Sequence, residues 1–337
     1  MLIELEEARS VALRVLRGVG TPQSHADLQA EVLIEAELRG LASHGLLRLP
    51  LIVERVHNGV ADPRATGRQR WRGDALLDVD GEGGLGPVVA CEAIERICER
   101  ARRLGMAVAA IRNSGHLGAI GWYAEKISRD GQIAIVLSTS EALVHPWGGR
   151  KALIGTNPIA IGVPVQPDPF VLDMATGVIS MGKVHDYANR GQPLEPGWAL
   201  DAEGNPTTDA AAARQGAIAP FGDAKGYGLA LGFELLVASL TASALGANVT
   251  GTLDSTLRAT KGDVIIVMEP HAESGASLAA YLDEVRACPP IRGGETVAVP
   301  GDRSRSRRAE NLTRGLEIPD AIWSKLRRLA DCSSLES

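Results

Sequence analysis

The sequence predicts an α/β protein. Two observations favour this class: short apolar strands such as 106–111 alternate with amphipathic helical stretches such as 88–104, and turns rich in glycine and proline separate them. The 337 residues suggest two domains, or one large domain with insertions. Hydrophobic residues make up 45% of the chain and charged residues 23%, which is typical of a globular protein.

Charge and cysteine content narrow the possible partners and the compartment. The formal net charge of −6 argues against a nucleic acid or an anionic membrane surface as the main partner. No apolar run reaches the ~18 residues of a membrane span, and the acidic start is unlike a signal peptide, so we expect a cytoplasmic protein. Cys91 and Cys98, seven residues apart, are predicted to be core thiols, and no cysteine has metal or disulfide spacing.

Periodicity predicts the order of elements in the first half. Helices are expected over 3–17, from the N-cap Ser24 toward Ser43, and over 49–57. After them we expect a strand at 71–80, a glycine-rich turn at 81–86, a helix at 88–104, a strand at 106–111, a helix at 122–128 and a strand at 132–138.

The second half contains more loops. Strands are predicted at 159–165, 170–173 and 264–268, a hairpin at 198–208, and helices at 226–244, at 277–288 with Ser277 as the cap, and at 319–329. The only dense basic run, 303–308, is either the start of a solvated helix or a phosphate-binding segment.

The glycine-rich turn 81–86 has the spacing of the dinucleotide-binding fingerprint, between a strand and a helix. That fingerprint needs an acidic residue at the end of the next strand, where this chain has Arg112-Asn113. Glu82 would also place negative charge beside a pyrophosphate. The sequence therefore indicates a structural turn, and any nicotinamide cofactor is expected to bind elsewhere.

The stretch 41–50 carries the strongest candidate chemistry. Ser43, His44 and Arg48 lie within six residues, and on a helical turn His44 and Arg48 would share a face. A guanidinium binds a carboxylate through two parallel hydrogen bonds, and an imidazole can transfer a proton near neutral pH. These residues suit a small acid, although a helix cap with a structural histidine would look the same.

His116 is the second candidate, on a loop that follows a buried strand and between Gly115 and Gly118. It is either a site residue or a hydrogen-bonding loop residue. Ser43, His44 and Asp173 could form a hydrolase triad on paper, but no Gly-x-Ser-x-Gly elbow frames a serine. His145 has no ligand at metal spacing, and the same holds for His185, so no metal site is expected.

Eight segments in order resemble the malate/L-lactate dehydrogenase family of nicotinamide-dependent 2-hydroxyacid oxidoreductases. They cover nearly the whole chain: Ser43-His44-Gly45 with Arg48 and Pro50, Asn113 to Gly118, Gly155-Thr156-Asn157-Pro158, Asp173-Met174-Ala175-Thr176, Gly197-Trp198-Ala199 with Asp201 and Gly204, Pro206 to Asp209, Lys225 to Leu229, and Pro300-Gly301-Asp302-Arg303.

The resemblance implies a fold other than the doubly wound dinucleotide fold, with a helical domain and an α/β cofactor domain. It also implies a homodimer with the active site near the subunit interface. We place the helical, substrate-binding domain at 1–115 with 285–337 and the cofactor domain at 116–284. Ser43, His44, Arg48 and Thr156 would line the substrate pocket. The cofactor, NAD or NADP, would be surrounded by His116, Leu117, Gly118, Ala119, Met174, Ala175, Thr176, Ala224, Lys225, Gly301, Asp302 and Arg303.

Three positions depart from the family pattern. Gly177 stands where a serine is usual, and Asp223 where a glycine is expected before Ala224. Lys183 replaces an aspartate that would complete a proton relay in the imine-reducing branch. A lysine cannot accept the histidine N–H but suits an anionic substrate, so a 2-hydroxy acid is favoured over a cyclic imine.

The expected reaction is hydride transfer between NAD(P)H and C2 of a 2-oxo acid. Arg48 would hold the C1 carboxylate and His44 would donate the proton with help from Ser43, while His116 is the competing donor. The segments 139–146 and 180–187 resemble the sulfolactate and malate branch, so a second anionic group is expected, to be met by Lys183, His185 or Arg190. Arg303 and Arg305 could contact a 2′-phosphate or only the pyrophosphate. A cyclic-imine reductase is the alternative.

Overall fold

Helices and strands alternate along residues 1–332, the part of the chain that the computed structural model describes. The α-helices are α1 (Leu5–Gly18), α2 (Gln23–Leu38), α3 (Leu49–His57), α4 (Gly86–Leu104), α5 (Gly121–Arg129), α6 (Met181–Asn189), α7 (Ala210–Ala213), α8 (Ala224–Thr241), α9 (Ser274–Ala287), α10 (Asp302–Arg314) and α11 (Asp320–Cys332). The strands are β1 (Leu2–Ile3), β2 (Arg68–Arg72), β3 (Leu76–Asp80), β4 (Met106–Arg112), β5 (Ile133–Ser138), β6 (Ile159–Val163), β7 (Phe170–Met174), β8 (Ala199–Leu200), β9 (Pro206–Thr207), β10 (Ala217–Ile218), β11 (Gly262–Met268) and β12 (Leu316–Glu317).

A seven-stranded sheet in the order β2-β3-β4-β11-β5-β6-β7 forms the centre of the molecule. Strands β3 and β4 are parallel and joined by α4, and the other neighbouring pairs are antiparallel. The predicted α/β class is therefore confirmed, with a mixed sheet.

Both faces of this sheet are covered. Along β11, Ile265 and Val267 join the core under α4 and α5, whereas Val264 and Ile266 pack toward α8. This alternation follows from the two-residue period of a strand. Buried Cys91 and Cys98 lie in the first of these cores, which confirms the prediction for both thiols.

A helical cluster made by α1, α2, α3 and α11 packs beside the sheet around its own apolar core. The pairing of β1 with β12 brings the two ends of the described chain together there. Helix α10 is joined to α2 because the Arg308 guanidinium binds the Glu35 carboxylate through both Nε and Nη2. A smaller apolar core lies among α6, α7 and the three-stranded sheet of β8, β9 and β10.

Several predicted boundaries were wrong. The expected strand 71–80 is the hairpin of β2 and β3, which turns near Gly73 at a φ of +73°. Helix α2 begins at Gln23 and ends at Leu38, so Ser24 is not its N-cap and Ser43 lies beyond it. Helix α9 begins at Ser274, three residues before the expected cap Ser277. Helix α6 was not predicted.

The basic run 303–308 lies at the start of α10, as one of its two interpretations predicted. The proposed division into two domains stays a prediction, and the sheet takes strands from both sides of residue 115. Residues 333–337 of the predicted helical domain lie outside the described residues. Among residues 1–332, no helix combines the length and the apolar character that a membrane crossing requires.

Candidate active site

Ser43, His44 and Arg48 lie on two consecutive 3₁₀ turns, Ala42–His44 and Leu46–Arg48, and not on one α-helix as expected. Even so, the three residues meet. The Ser43 hydroxyl and His44 Nδ1 are 2.9 Å apart, and Arg48 Nε donates to the Ser43 carbonyl at 2.8 Å. The guanidinium thus supports the backbone that carries the histidine.

The buried carboxyl of Glu37, on α2, binds the segment that carries these three residues. Its Oε1 accepts a hydrogen bond from the Leu46 N–H at 2.7 Å. A Cβ on Gly45 would come within 2.2 Å of the same oxygen, so any larger residue here would displace the Glu37 carboxyl from the Leu46 N–H. Burial raises the pKa of Glu37 to about 7, although the Leu46 hydrogen bond opposes the shift. Sequence patterns gave no signal for Glu37.

His116 lies on the loop after β4. The glycine-rich turn 81–86 packs directly against that loop. The Gly115 N–H donates to the Gly84 carbonyl at 2.9 Å. A Cβ on Gly86 would lie 2.3 Å from the His116 carbonyl oxygen. The glycines of the apparent fingerprint therefore allow two backbone segments to pack closely, which explains the spacing without a bound dinucleotide.

The His44 and His116 rings face each other, with centroids 5.5 Å apart and planes inclined by 37°. The Gly118 N–H donates to His116 Nδ1 at 2.9 Å, so Nε2 carries the proton when the His116 ring is neutral. The two candidate proton donors thus lie in one site.

Both imidazoles are held in the neutral form. Burial, followed by the Arg48 charge, lowers the pKa of His44 to about 4. The pKa of His116 is lowered well below its usual value by burial, then by the charges of Arg48, His44 and Lys261. A bound anion would offset the Arg48 charge and raise both pKa values, since an opposite charge favours the protonated imidazole.

A cleft of about 530 Å³, which includes space open to solvent, begins at His116 and Arg48. Its walls are largely apolar and come from α2, α3 and the two glycine loops. The lining side chains include Leu33, Leu51, Ile52, Leu85, Arg55 and Thr252. Arg55 was missed from the sequence, although its place seven residues after Arg48 on one helix face was a usable signal. Ser43, His44 and Thr156 do not line the cleft.

A second group of predicted residues surrounds Thr156. Its backbone N–H donates to the Ser140 hydroxyl at 2.9 Å, and its carbonyl accepts from both the N–H and the hydroxyl of Thr176, at 2.8 and 2.7 Å. The Thr176 carbonyl accepts in turn from the Phe221 N–H at 3.0 Å, three residues before Ala224. The segments Met174-Ala175-Thr176 and Ala224-Lys225 are therefore held beside Thr156.

Asp173 connects this group to the histidine loop. Its carboxylate accepts from the Gly121 N–H at 2.7 Å, at the start of α5 and just after Leu117, Gly118 and Ala119. Ser43 and His44 are hydrogen-bonded to each other, but the Asp173 carboxylate binds Gly121 and is not joined to them, so the three residues do not form a hydrolase triad. Within residues 1–332, no group of three or more histidine, cysteine or acidic side chains is placed to hold a metal.

Gly301, Asp302 and Arg303 lie where α10 begins. A Cβ on Gly301 would be 3.2 Å from the Val171 carbonyl of β7, so this segment flanks the strand that leads into Met174. The Asp302 carboxylate binds the guanidiniums of Arg286 and Arg305. Arg303 pairs with Glu295 at the surface.

Lys183 lies in the first turn of α6, where the Ser180 hydroxyl accepts from its N–H at 3.2 Å. Its ammonium is over the rings of Tyr187 and Trp198, at 5.8 and 5.7 Å from their centroids. The neighbouring Gly182 packs toward Ser43, because a Cβ there would lie 3.5 Å from the Ser43 Cβ. Lys183 is therefore close to the Ser43 segment but does not line the cleft.

The family model for malate/L-lactate dehydrogenase matches residues 3–327. The chain belongs to this family. The predicted family and the dehydrogenase class of the enzyme are thereby confirmed.

Three relatives illustrate the similarity. A dehydrogenase structure from Sinorhizobium meliloti superposes with a TM-score of 0.94 at 50% identity, covering 98% of each chain. A (2R)-3-sulfolactate dehydrogenase (NADP(+)) from Chromohalobacter salexigens is 37% identical over 98% of each chain. A Delta(1)-pyrroline-2-carboxylate reductase 1 from Burkholderia ambifaria is 32% identical over the same share of both chains.

Proposed function

We propose that this dehydrogenase transfers a hydride between a nicotinamide dinucleotide and C2 of a small 2-oxo or 2-hydroxy acid. One observation carries the proposal: two neutral imidazoles face each other, and one of them, His116, lines a cleft together with Arg48 and without any acidic residue. Such a site attracts an anion and can exchange a proton with it. Reducing a 2-oxo acid requires both of these steps together with a hydride, which the nicotinamide dinucleotide would supply.

Arg48 binds the C1 carboxylate. Its Nε and Nη1 already donate to the carbonyls of Ser43 and Thr252, which fixes the guanidinium, while Nη2 has no partner within residues 1–332. A fixed guanidinium orients the carboxylate with little further loss of side-chain entropy. Thr156 is the further residue that the family resemblance assigns to the substrate, although it does not line the cleft.

His44 donates the proton to the oxygen on C2 in the reducing direction and accepts it in the oxidising direction, with Ser43 orienting the ring. His116 is the competing donor, because its Nε2 proton is also free of protein partners within the described chain. The anionic substrate raises the pKa of both rings by offsetting the Arg48 charge, so substrate binding and proton uptake are coupled.

A nicotinamide dinucleotide, NAD or NADP, fits the group of segments around Thr156. When bound, it supplies or accepts the hydride. Ala224 and Lys225 are exposed there, and Lys225 makes no ion pair among the described residues, so its ammonium is available for a pyrophosphate. His116 to Ala119, Met174 to Thr176 and Gly301 to Arg303 complete the surface that would hold the coenzyme.

The substrate carries a second anionic group, as in malate or sulfolactate. The relative from C. salexigens, named for sulfolactate, supports this choice. Lys183 is one of the residues that the sequence analysis predicts to bind that second anionic group. Cyclic-imine reduction is the second candidate, because a pyrroline-carboxylate reductase is among the relatives.

The chain acts as a homodimer through α8. This helix buries one face, including Ala230 and Val237, while Leu229, Leu235 and Leu236 are exposed by 46%, 53% and 43%. A contiguous exposed apolar face is typical of a subunit interface. Light scattering on the purified protein tests the dimer, and a monomer would contradict it.

The initial rate of coenzyme oxidation, with NADH and NADPH in parallel, tests the reaction. The substrates are pyruvate, oxaloacetate, 3-sulfopyruvate and Δ1-piperideine-2-carboxylate. We expect turnover with an oxo acid, fastest with a dianion. Turnover of the cyclic imine alone would replace the proposal with the second candidate.

A further inference from the structure

Two guanidiniums line the cleft beside His116. They belong to Arg48 and Arg55, and no aspartate or glutamate lines the cleft among the described residues. A ligand with one anionic group can bind only one of them and would leave hydrogen-bond donors of the other without a partner in a largely apolar site. The cleft therefore suits a ligand with two negative charges.

Arg55 follows Arg48 along the same wall of the cleft. Leu51 and Ile52, which lie between them on that face of α3, also line the space. Seven helical residues separate the two Cα atoms by about 10 Å along the axis. Two guanidiniums that line the same cleft from these positions can hold the two ends of one small molecule.

The Arg55 side chain is fixed in position, but only some of its hydrogen-bond donors have a partner. It is 6% exposed, and its Nη1 donates to the carbonyls of Asp254 and Leu257 at 2.5 and 3.0 Å. Its Nε and Nη2 have no hydrogen-bond partner within residues 1–332. Two donors at fixed geometry are therefore available for a carboxylate or a sulfonate.

Both arginines converge on the segment 252–257. Arg48 Nη1 donates to the Thr252 carbonyl at 3.1 Å, close to the carbonyls that Arg55 binds. Burial lowers the pKa of both guanidiniums. The Glu141 charge opposes this shift at Arg48, and the charges of Asp254 and then Glu141 oppose it at Arg55. The Glu141 oxygens, however, already accept from the N–H groups of Thr252 and Leu253 and from the Thr252 hydroxyl, so the arginine donors remain free for a ligand.

We infer that Arg55 binds the distal anionic group of the substrate, a carboxylate or a sulfonate, while Arg48 binds the C1 carboxylate. The inference rests on the proposed function and assigns the residue that selects dianionic substrates. It places the second anion at α3, inside the cleft, and not at Lys183 on α6, which lies outside the cleft lining.

The test compares a monoanionic substrate with two dianionic ones. For wild type and Arg55→Met, kcat/KM is measured with pyruvate, oxaloacetate and 3-sulfopyruvate. Removing a charged hydrogen-bonding partner should lower kcat/KM for both dianions by about 10- to 100-fold. The value for pyruvate should change by less than about 3-fold, because pyruvate has no distal anion to lose. A larger loss with one dianion identifies whether a carboxylate or a sulfonate is preferred.

Two further variants separate recognition from loop anchoring. Asn58→Ala removes a neutral anchor of the same loop, since Asn58 Nδ2 donates to the Ser255 carbonyl at 2.9 Å. It should leave the ratio of dianion to pyruvate kcat/KM unchanged. Arg55→Lys keeps the charge but loses the fork, so its ratio should fall between those of wild type and Arg55→Met. It also keeps the test valid if Arg55→Met unfolds.

The outcomes distinguish this inference from the reaction itself. Equal losses with pyruvate and the dianions in both Arg55 variants would overturn it and make Arg55 a loop anchor only. So would a selective loss of dianion turnover in Lys183→Met with none in Arg55→Met. A wild-type enzyme that turns over no oxo acid refutes the proposed reaction instead. In that case, a thermal shift by malate but not by lactate, lost in Arg55→Met, would still support the subsite.

Discussion

The site around His44 and His116 and the proposed coenzyme surface around Thr156 are held together by different kinds of contact. Around the histidines, positions are set by close packing at glycines: Gly86 allows the His116 backbone carbonyl to approach, and Gly45 allows the Glu37 carboxyl to approach. The charged groups there have few partners. On the coenzyme surface, backbone hydrogen bonds join the segments, and the Asp302 carboxylate is fully engaged by Arg286, Arg305 and the Val299 N–H.

This difference indicates where each region is sensitive. A buried charge or polar group with few partners shifts its pKa and interacts strongly with a ligand, as Glu37, His44 and His116 show. Exposed ion pairs such as that of Arg303 with Glu295 contribute little to stability, typically less than ~1 kcal/mol. Substitutions in the cleft should therefore have much larger effects than substitutions on the coenzyme surface.

The largest expected effect is the loss of the proton donor. His44→Gln should lower kcat by about 10²–10⁴-fold and leave the KM for the coenzyme nearly unchanged, because general acid catalysis contributes that much and His44 lies outside the predicted coenzyme surface. In the oxidising direction, kcat/KM of the wild type should rise with pH through the free-enzyme pKa of His44, about 4, and His44→Gln should lose this limb.

His116→Gln is the matched variant for this experiment. If His44→Gln remains within about 3-fold of wild type and His116→Gln carries the loss, the donor is His116 and the roles of the two rings are exchanged.

The second effect is a pH-dependent stability that originates at Glu37. Its pKa is about 7 in the folded protein and 4.5 in the reference state, so folding favours the protonated form. This contribution is fully present below pH 4.5 and is lost as the pH rises through 7, by up to roughly 3 kcal/mol. Glu37→Gln keeps the acceptor for Leu46 without the charge. Its unfolding free energy in urea, minus that of wild type, should therefore increase between pH 5 and pH 8.

The comparison of the two proteins cancels the opposite contribution of His44, whose lowered pKa removes stability as the pH falls from 6.5 toward 4. A difference that stays constant with pH would show that Glu37 is ionised throughout.

The sequence predicted most elements because their apolar periods are strong. Strand β4 and helix α4 are regular and buried, and both were found close to their bounds. The hairpin of β2 and β3 was missed because β2 is exposed on alternate residues and has no apolar run that would separate it from β3 at the Gly73 turn. The end of α2 was missed because Gly40, at a φ of +74°, lies in an otherwise helical stretch.

The site was predicted residue by residue, but its arrangement was not. Short motifs pointed to His44, Arg48 and His116, yet no pattern shows that two loops 70 residues apart place two rings 5.5 Å apart. Glu37 and Arg55 were missed because a single charged residue on a predicted helix is usually exposed, whereas both of these are buried. Their importance comes from burial, which depends on tertiary packing.

The third effect concerns Gly86, in the glycine-rich turn that packs against the His116 loop. Gly86→Ala should destabilise the protein by about 1–3 kcal/mol and lower kcat, because the added methyl would lie 2.3 Å from the His116 carbonyl and 2.6 Å from that of Gly115. Thermal unfolding and initial rates measure the two effects.

Gly275→Ala in α9 is the control: no atom lies within 4 Å of the new Cβ, and a helical alanine should be neutral or slightly stabilising. Equal behaviour of both variants would contradict the role of Gly86 as a close-packing residue.

The smallest effect is expected at Arg303 on the coenzyme surface. Its ion pair with Glu295 joins two side chains that are 79% and 87% exposed, so Arg303→Ala should leave the melting temperature almost unchanged. If Arg303 contacts a 2′-phosphate, the variant should raise the KM for NADPH about 10-fold or more while the KM for NADH stays the same, because only NADPH carries that group. Equal changes for both coenzymes would instead place Arg303 at the shared pyrophosphate. A change for neither would remove Arg303 from the proposed coenzyme surface and leave Lys225 and Arg305 as the positive residues to be tested there.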